Sequence, residues 1–153
     1  MPHLLIIAHY PSPNLERLAT AVLNGARAPE IDKVDAELRS PFETTADDVF
    51  ATDGLILGTP ENLGYMSGAL KDFFDRTYMT CIEQTDAKPF TFFIRAGHDG
   101  TGTRRAIESI TTGLKWKSVQ APLICRGEWQ DDWLEDAHTL GMTMAAGLEA
   151  GIF

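Results

Sequence analysis

Basic charge is scarce in this chain: 13 lysines and arginines stand against 22 aspartates and glutamates, a net charge of −9. That balance argues against nucleic acid and against an anionic membrane surface as partners. Cysteine is scarcer still. Cys81 and Cys125 are too few for a disulfide framework and read as free thiols in a reducing compartment. No apolar run approaches the ~20 residues of a membrane-spanning helix. No basic segment precedes an apolar stretch at the start, as a secretory leader would require. The expectation is a cytoplasmic protein. His3, His9, His98 and His138 are scattered, and no spacing matches a zinc site, so no metal is expected. Internal repeats, low-complexity segments and linkers are absent as well.

What is present is an ordinary globular composition, 44% hydrophobic and 23% charged, in 153 residues. That length reads as one domain, residues 1–153, with a single sizeable core. Its organising stretch runs from Gly54 to Tyr78. Leu55, Ile56 and Leu57 have the length of a buried strand. Gly58, Pro60 and Gly64 then mark a loop of about eight residues, longer than the roughly two to six of most strand–helix connections. Ser67 is placed to cap a helix with Leu70, Phe73, Phe74 and Thr77 on one face. Asp72 and Arg76 are spaced to pair across one turn.

The rest of the chain repeats the strand–helix alternation. His3 to Ala8, with Leu4, Leu5, Ile6 and Ile7, holds a short apolar run typical of a central strand. Ser12 caps the next helix, with Pro13 at its first position, an apolar stripe from Leu15 to Ala26, and Gly25 and Pro29 at its exit. Val34 to Leu38 alternates apolar and acidic, as an edge strand does. Thr45 to Thr52 predicts a short helix with Val49 and Phe50 inward. Phe90 to Ile94 is a fourth strand. Arg95 to Gly102 is a glycine-rich loop, followed by a helix from about Thr103 to Trp116. Val119 to Cys125 is a fifth strand, interrupted by Pro122 and so at an edge or a bulge. Trp133 to Leu148 is a final amphipathic helix. This predicts an α/β three-layer sandwich around a five-stranded parallel sheet of order 2-1-3-4-5. Loops after strands one, three and four then converge on one crevice, and the first ends at a helix N-terminus suited to a phosphate.

Several chemistries on this architecture are excluded by the residues. Loop one has no glycine, so it cannot be the G-x-G-x-x-G of a dinucleotide fold. A receiver domain would need acidic residues after strand one and an aspartate where Thr59 stands. A low-molecular-weight phosphatase would need a cysteine after strand one. The residues from Gly58 to Arg76, above all Pro60, Gly64, Met66, Gly68 and the pair Phe74-Asp75, resemble the flavodoxin-like FMN proteins. They are most similar to NAD(P)H:quinone oxidoreductases of the Trp-repressor-binding-protein type and to NADPH-dependent FMN reductases. Gly97 to Gly102 resembles the glycine-rich third loop of that family, and Leu140 to Leu148 its last helix. Loop one lacks the T/S-x-T-G-x-T pattern of flavodoxins; Ser12 and Asn14 are nearer the FMN-reductase pattern.

The resemblance implies FMN as cofactor, with NAD(P)H as possible donor and a quinone or similar small molecule as acceptor. It implies phosphate contacts at His9, Ser12, Asn14 and Leu15. It implies ring contacts at Pro60, Glu61, Asn62, Leu63 and Gly64, with Ala96, Gly97, His98 and Gly100 on the ring's other side. The cofactor carries the redox chemistry, so no catalytic side chain is assigned. A monomer or homodimer is expected. A flavodoxin-type electron carrier and a flavin-free interaction module are the alternatives.

Overall fold

The computed structural model describes Met1–Phe153. Its chain order is β1 (His3–Ala8), α1 (Pro13–Ala26), β2 (Asp35–Arg39), a 3-10 turn (Pro41–Glu43), α2 (Ala46–Ala51), β3 (Gly54–Asn62), β4 (Tyr65–Met66), α3 (Gly68–Cys81), β5 (Pro89–Ala96), α4 (Thr101–Gly113), β6 (Lys117–Ser118), β7 (Leu123–Arg126) and α5 (Asp132–Ala150). The main path of the sheet is β2-β1-β3-β5-β6, with β7 also paired to β5. Counted by principal strands this is the expected order 2-1-3-4-5, and those pairings are parallel. The fifth strand is two pieces, with Pro122 in the gap between them, as a residue without an N–H requires at a sheet edge.

Alternate residues of the central strands feed two cores. Leu4, Ile6, Ile56 and Phe93 pack with Leu18 and Val22 of α1 and with Leu140, Met144 and Leu148 of α5. Leu5, Ile7, Leu55, Leu57 and Phe92 pack with Leu70, Phe73 and Phe74 of α3, Val49 of α2 and Ile107 of α4. Burying each such side chain stabilises by about 1.5–3 kcal/mol. No helix is long and apolar enough to cross a membrane.

The structure moves several expected boundaries. Gly25 does not end α1 as a turn residue. A Cβ there would lie 1.9 Å from the His138 carbonyl oxygen, and one at Gly141 would lie 1.9 Å from that of Val22. These glycines let α1 and α5 touch backbone to backbone. Phe50 points outward and is 41% exposed, because Val49 alone fills the inner face of a helix only six residues long. Arg95 belongs to β5, and α4 starts at Thr101 and ends at Gly113. The loop expected after strand three is largely strand: β3 continues to Asn62, turns at Leu63 and Gly64, and pairs antiparallel with β4.

Candidate functional site

Five connections rise at the carboxyl ends of the strands. The first, His9 to Ser12, joins β1 to α1. Ser12 is extended, and its Oγ accepts the Leu15 N–H at 3.3 Å. Pro13 carries no N–H, and the N–H groups of Tyr10, Ser12 and Asn14 donate to no group of the protein. Unused donors at a helix start, with the positive end of its dipole, attract an anion. His9 anchors the loop through its N–H to the Gly58 carbonyl at 3.0 Å. Its Nδ1 is buried without a hydrogen-bond partner, and burial lowers its pKa below the ordinary 6.5. Asn14 Oδ1 accepts from Arg17 Nη1 at 3.3 Å. Leu15 is buried and packs into the core rather than facing the loop.

The second wall is the β3–β4 hairpin. Leu63 (φ 54°) and Gly64 (φ 75°) take the two positive angles that a type I′ turn requires. A leucine held there costs roughly 1–2 kcal/mol, and Leu63 is fully exposed at the tip. The hairpin's base is fixed by Thr59, whose Oγ1 accepts the Ser67 N–H at 2.9 Å and donates to the Pro60 carbonyl at 2.8 Å. Ser67 then caps α3 through Leu70 N–H, as the sequence predicts.

The third loop, Gly97 to Gly100, touches the hairpin directly. Glu61 accepts the N–H of His98 at 3.1 Å and of Gly100 at 2.9 Å. A Cβ at Gly102 would lie 2.2 Å from the Gly64 carbonyl oxygen, so only glycine lets the turn rest on the start of α4. Gly100 caps α4 in the left-handed region (φ 72°). Gly97 is different: a Cβ there meets nothing within 4 Å, and its φ is not positive. The protein itself gives no reason for glycine at that position.

Sequence reasoning missed two connections. Pro41–Glu43, after β2, puts Phe42 edge-on to His9 at 6.4 Å, with Phe42 63% exposed. The Ser-Pro pair at 40 and 41 was its signal. After β7, Trp129 lies edge-to-face with Trp133 at 5.5 Å. The Arg17 guanidinium lies over Trp129, and that of Arg95 over Trp133. Asp131 accepts from Trp129 Nε1 and pairs with Arg17, and these contacts, the indole bond first, hold its carboxyl below the usual range. Arg17 is thus turned toward α5. The largest concavity of the surface, about 530 Å³, is a separate feature along the outer side of α1, from Pro13 to Asn24, with Leu134 opposite.

Loops gathered at the switch point of a 2-1-3-4-5 sheet, one ending in an anion-ready helix start and one rich in glycine, follow the site plan of a flavodoxin-like cofactor protein. The model of the NADPH-dependent FMN reductases matches residues 15–130, and the chain belongs to that family of FMN-binding oxidoreductases. A flavodoxin of Aquifex aeolicus is 32% identical over 74% of this chain and 60% of its own length. An NAD(P)H dehydrogenase (quinone) of Acidithiobacillus ferrooxidans is 32% identical over 50% of this chain and 48% of its own. The chain spans from 34% to 60% of the length of the curated relatives it matches. Among solved structures, a flavodoxin from the domain Archaea superposes with a TM-score of 0.79 at 17% identity, over 96% of this chain and 99% of that one. A WrbA-like flavodoxin of Agrobacterium tumefaciens gives 0.75 at 18% identity, over the whole of both chains. At such identities the likeness concerns the fold.

Proposed function

We propose that this protein binds FMN in the crevice, takes electrons from NAD(P)H and passes them to a quinone or similar small acceptor. The observation that carries the reading is the set of unused N–H donors at Tyr10, Ser12 and Asn14, in the same loop as His9, whose buried Nδ1 has no partner. Those groups suit a phosphate, and Gly97 leaves open space on the wall opposite. The donor set therefore fits FMN, which supplies the redox chemistry when bound.

The chain's own residues bind and orient. In this reading His9, Ser12, Asn14 and the start of α1 at Leu15 hold the phosphate without a lysine or arginine. Pro60, Glu61, Asn62, Leu63 and Gly64 form one ring wall, and Ala96, Gly97, His98 and Gly100 the other. Tyr10, Phe42, Leu63 and Tyr65, each more than a third exposed, offer apolar surface around the rim to an aromatic acceptor and keep water from it. No side chain is placed as a general acid or base.

A second reading, an electron carrier without its own NAD(P)H step, is favoured by the net charge of −9, which would steer a basic protein partner. Anaerobic mixing of the FMN-loaded protein with NADPH separates the two. Prompt loss of oxidised-flavin absorbance supports the enzyme. A flavin that stays oxidised under NADPH and NADH, yet is reduced by a strong chemical reductant, supports the carrier.

A further inference from the structure

The side-chain link between the hairpin and the third loop runs through Glu61. Its carboxylate accepts two backbone N–H groups, 37 and 39 residues away in sequence, one oxygen each. The loop's far end is fixed by α4, whose Arg104 N–H donates to the Gly100 carbonyl at 2.9 Å, but Gly97 to Asp99 carries little else. Asp99 accepts the Thr101 N–H, and Arg126 Nε donates to the Asp99 carbonyl at 2.7 Å from an exposed side chain. A segment with two glycines in four residues is costly to order. We infer that Glu61 is a positioning residue: it holds the third loop in its ligand-ready shape before any cofactor arrives, and it sets the charge at that wall.

The physical argument has three parts. Hydrogen bonds to an ionised acceptor are about twice as strong as neutral ones. Glu61 itself sits on a fixed platform, because its backbone pairs with Met66 and the hairpin's base is tied by Thr59 to Ser67. A loop ordered in advance also binds more tightly, since the ordering entropy is not lost on binding. Glu61 therefore does work that the sequence motif alone assigns only to contact with the ring.

The role at the ring rests on the FMN reading; the brace does not, so the two are tested separately. In the apoprotein, Glu61→Gln keeps the shape but removes the charge and one acceptor. Water exchange at the His98 and Gly100 amides, followed by NMR, should quicken by about tenfold or more, while amides of β1 and β5 keep their protection. With FMN added, the dissociation constant of Glu61→Gln should rise by about tenfold. At saturating FMN, loss of the negative charge should favour the reduced flavin by about tenfold, an upward midpoint shift of about 30 mV for a two-electron couple. A general loosening of the fold would move neither the potential in that direction nor only those two amides. Unchanged exchange at both amides overturns the brace, whether or not FMN binds. An unchanged potential in FMN-loaded Glu61→Gln overturns the charge role. A parent protein that takes up no FMN defeats the proposed function instead, and the exchange measurement still decides the brace.

Discussion

Replacing Gly97 with valine separates space the protein needs from space a ligand needs. A Cβ at Gly97 meets nothing within 4 Å, and the residue is not in the left-handed region. The folded protein alone therefore has no steric objection. Removing a glycine also narrows the unfolded ensemble, which stabilises by about 0.4–1 kcal/mol where the native angles are compatible. The apoprotein should melt at or slightly above the parent temperature. If the cofactor lies against this wall, the added methyl groups stand in its way, and overpacking costs about 1–3 kcal/mol. That corresponds to a 5- to 150-fold rise in the FMN dissociation constant, at about 1.4 kcal/mol per decade. Calorimetric titration of apoprotein with FMN reads the affinity, and differential scanning calorimetry the stability. Gly102→Val is the internal contrast: its Cβ would meet the Gly64 carbonyl at 2.2 Å, so stability and affinity should fall together. Parent-like FMN binding by Gly97→Val would refute the placement of the third loop at the cofactor.

Three further outcomes follow from the same geometry. His9 binds its proton less readily in the folded chain than in the unfolded one, because it is partly buried. The unfolded state then takes up protons first, so His9's contribution is complete above 6.5 and declines as the pH falls through it. His9→Gln should flatten that part of the urea-unfolding profile, and equal slopes in both proteins would contradict it. Cys81 and Cys125 are both buried, and burial pushes the Cys125 thiol up to about 12. A thiol reagent should react slowly with the native protein and find both thiols in unreduced, denatured protein. Arg17 is already engaged by Asp131, by Trp129 and by the Asn14 side chain, so its charge does not stand free for a phosphate. FMN affinity should accordingly change little on Arg17→Ala or on added sodium chloride, since short donors in a partly dry site are poorly screened; a steep salt dependence would place a cation in the site.

The fold was legible because its signals are local. Short apolar runs gave the central strands, the alternating Val34 to Leu38 gave the edge, and Ser12, Thr45 and Ser67 cap the helices they were expected to cap. The three loops of the candidate site were legible, but not the contacts between them. That β3 runs on through Pro60 could not be read, because Gly58, Pro60 and Gly64 are turn residues in isolation and only pairing with β5 and β4 keeps the segment extended. Gly25 reads locally as a helix exit and Gly102 as part of a glycine-rich loop, and nothing local explains Gly141. Each is dictated by a backbone from a distant element, which no local pattern encodes. Phe42 and Trp129 escaped notice for the same reason: their partners, His9 and Arg17, are remote in sequence.

The central claim, that the FMN phosphate is seated at the start of α1, is tested most directly by Ser12→Asp titrated with FMN and with riboflavin. Aspartate remains a competent N-cap and suits the helix dipole, so the apoprotein should keep its melting temperature. A carboxylate about 4 Å from a phosphate charge repels it by about 4 kcal/mol at an effective dielectric of 20, on the order of a thousandfold in affinity. FMN binding should be lost to that extent, while riboflavin, which has no phosphate, should bind parent and variant alike. If Ser12→Asp binds FMN as tightly as the parent, the phosphate is not at this helix and Ser12 is only its cap.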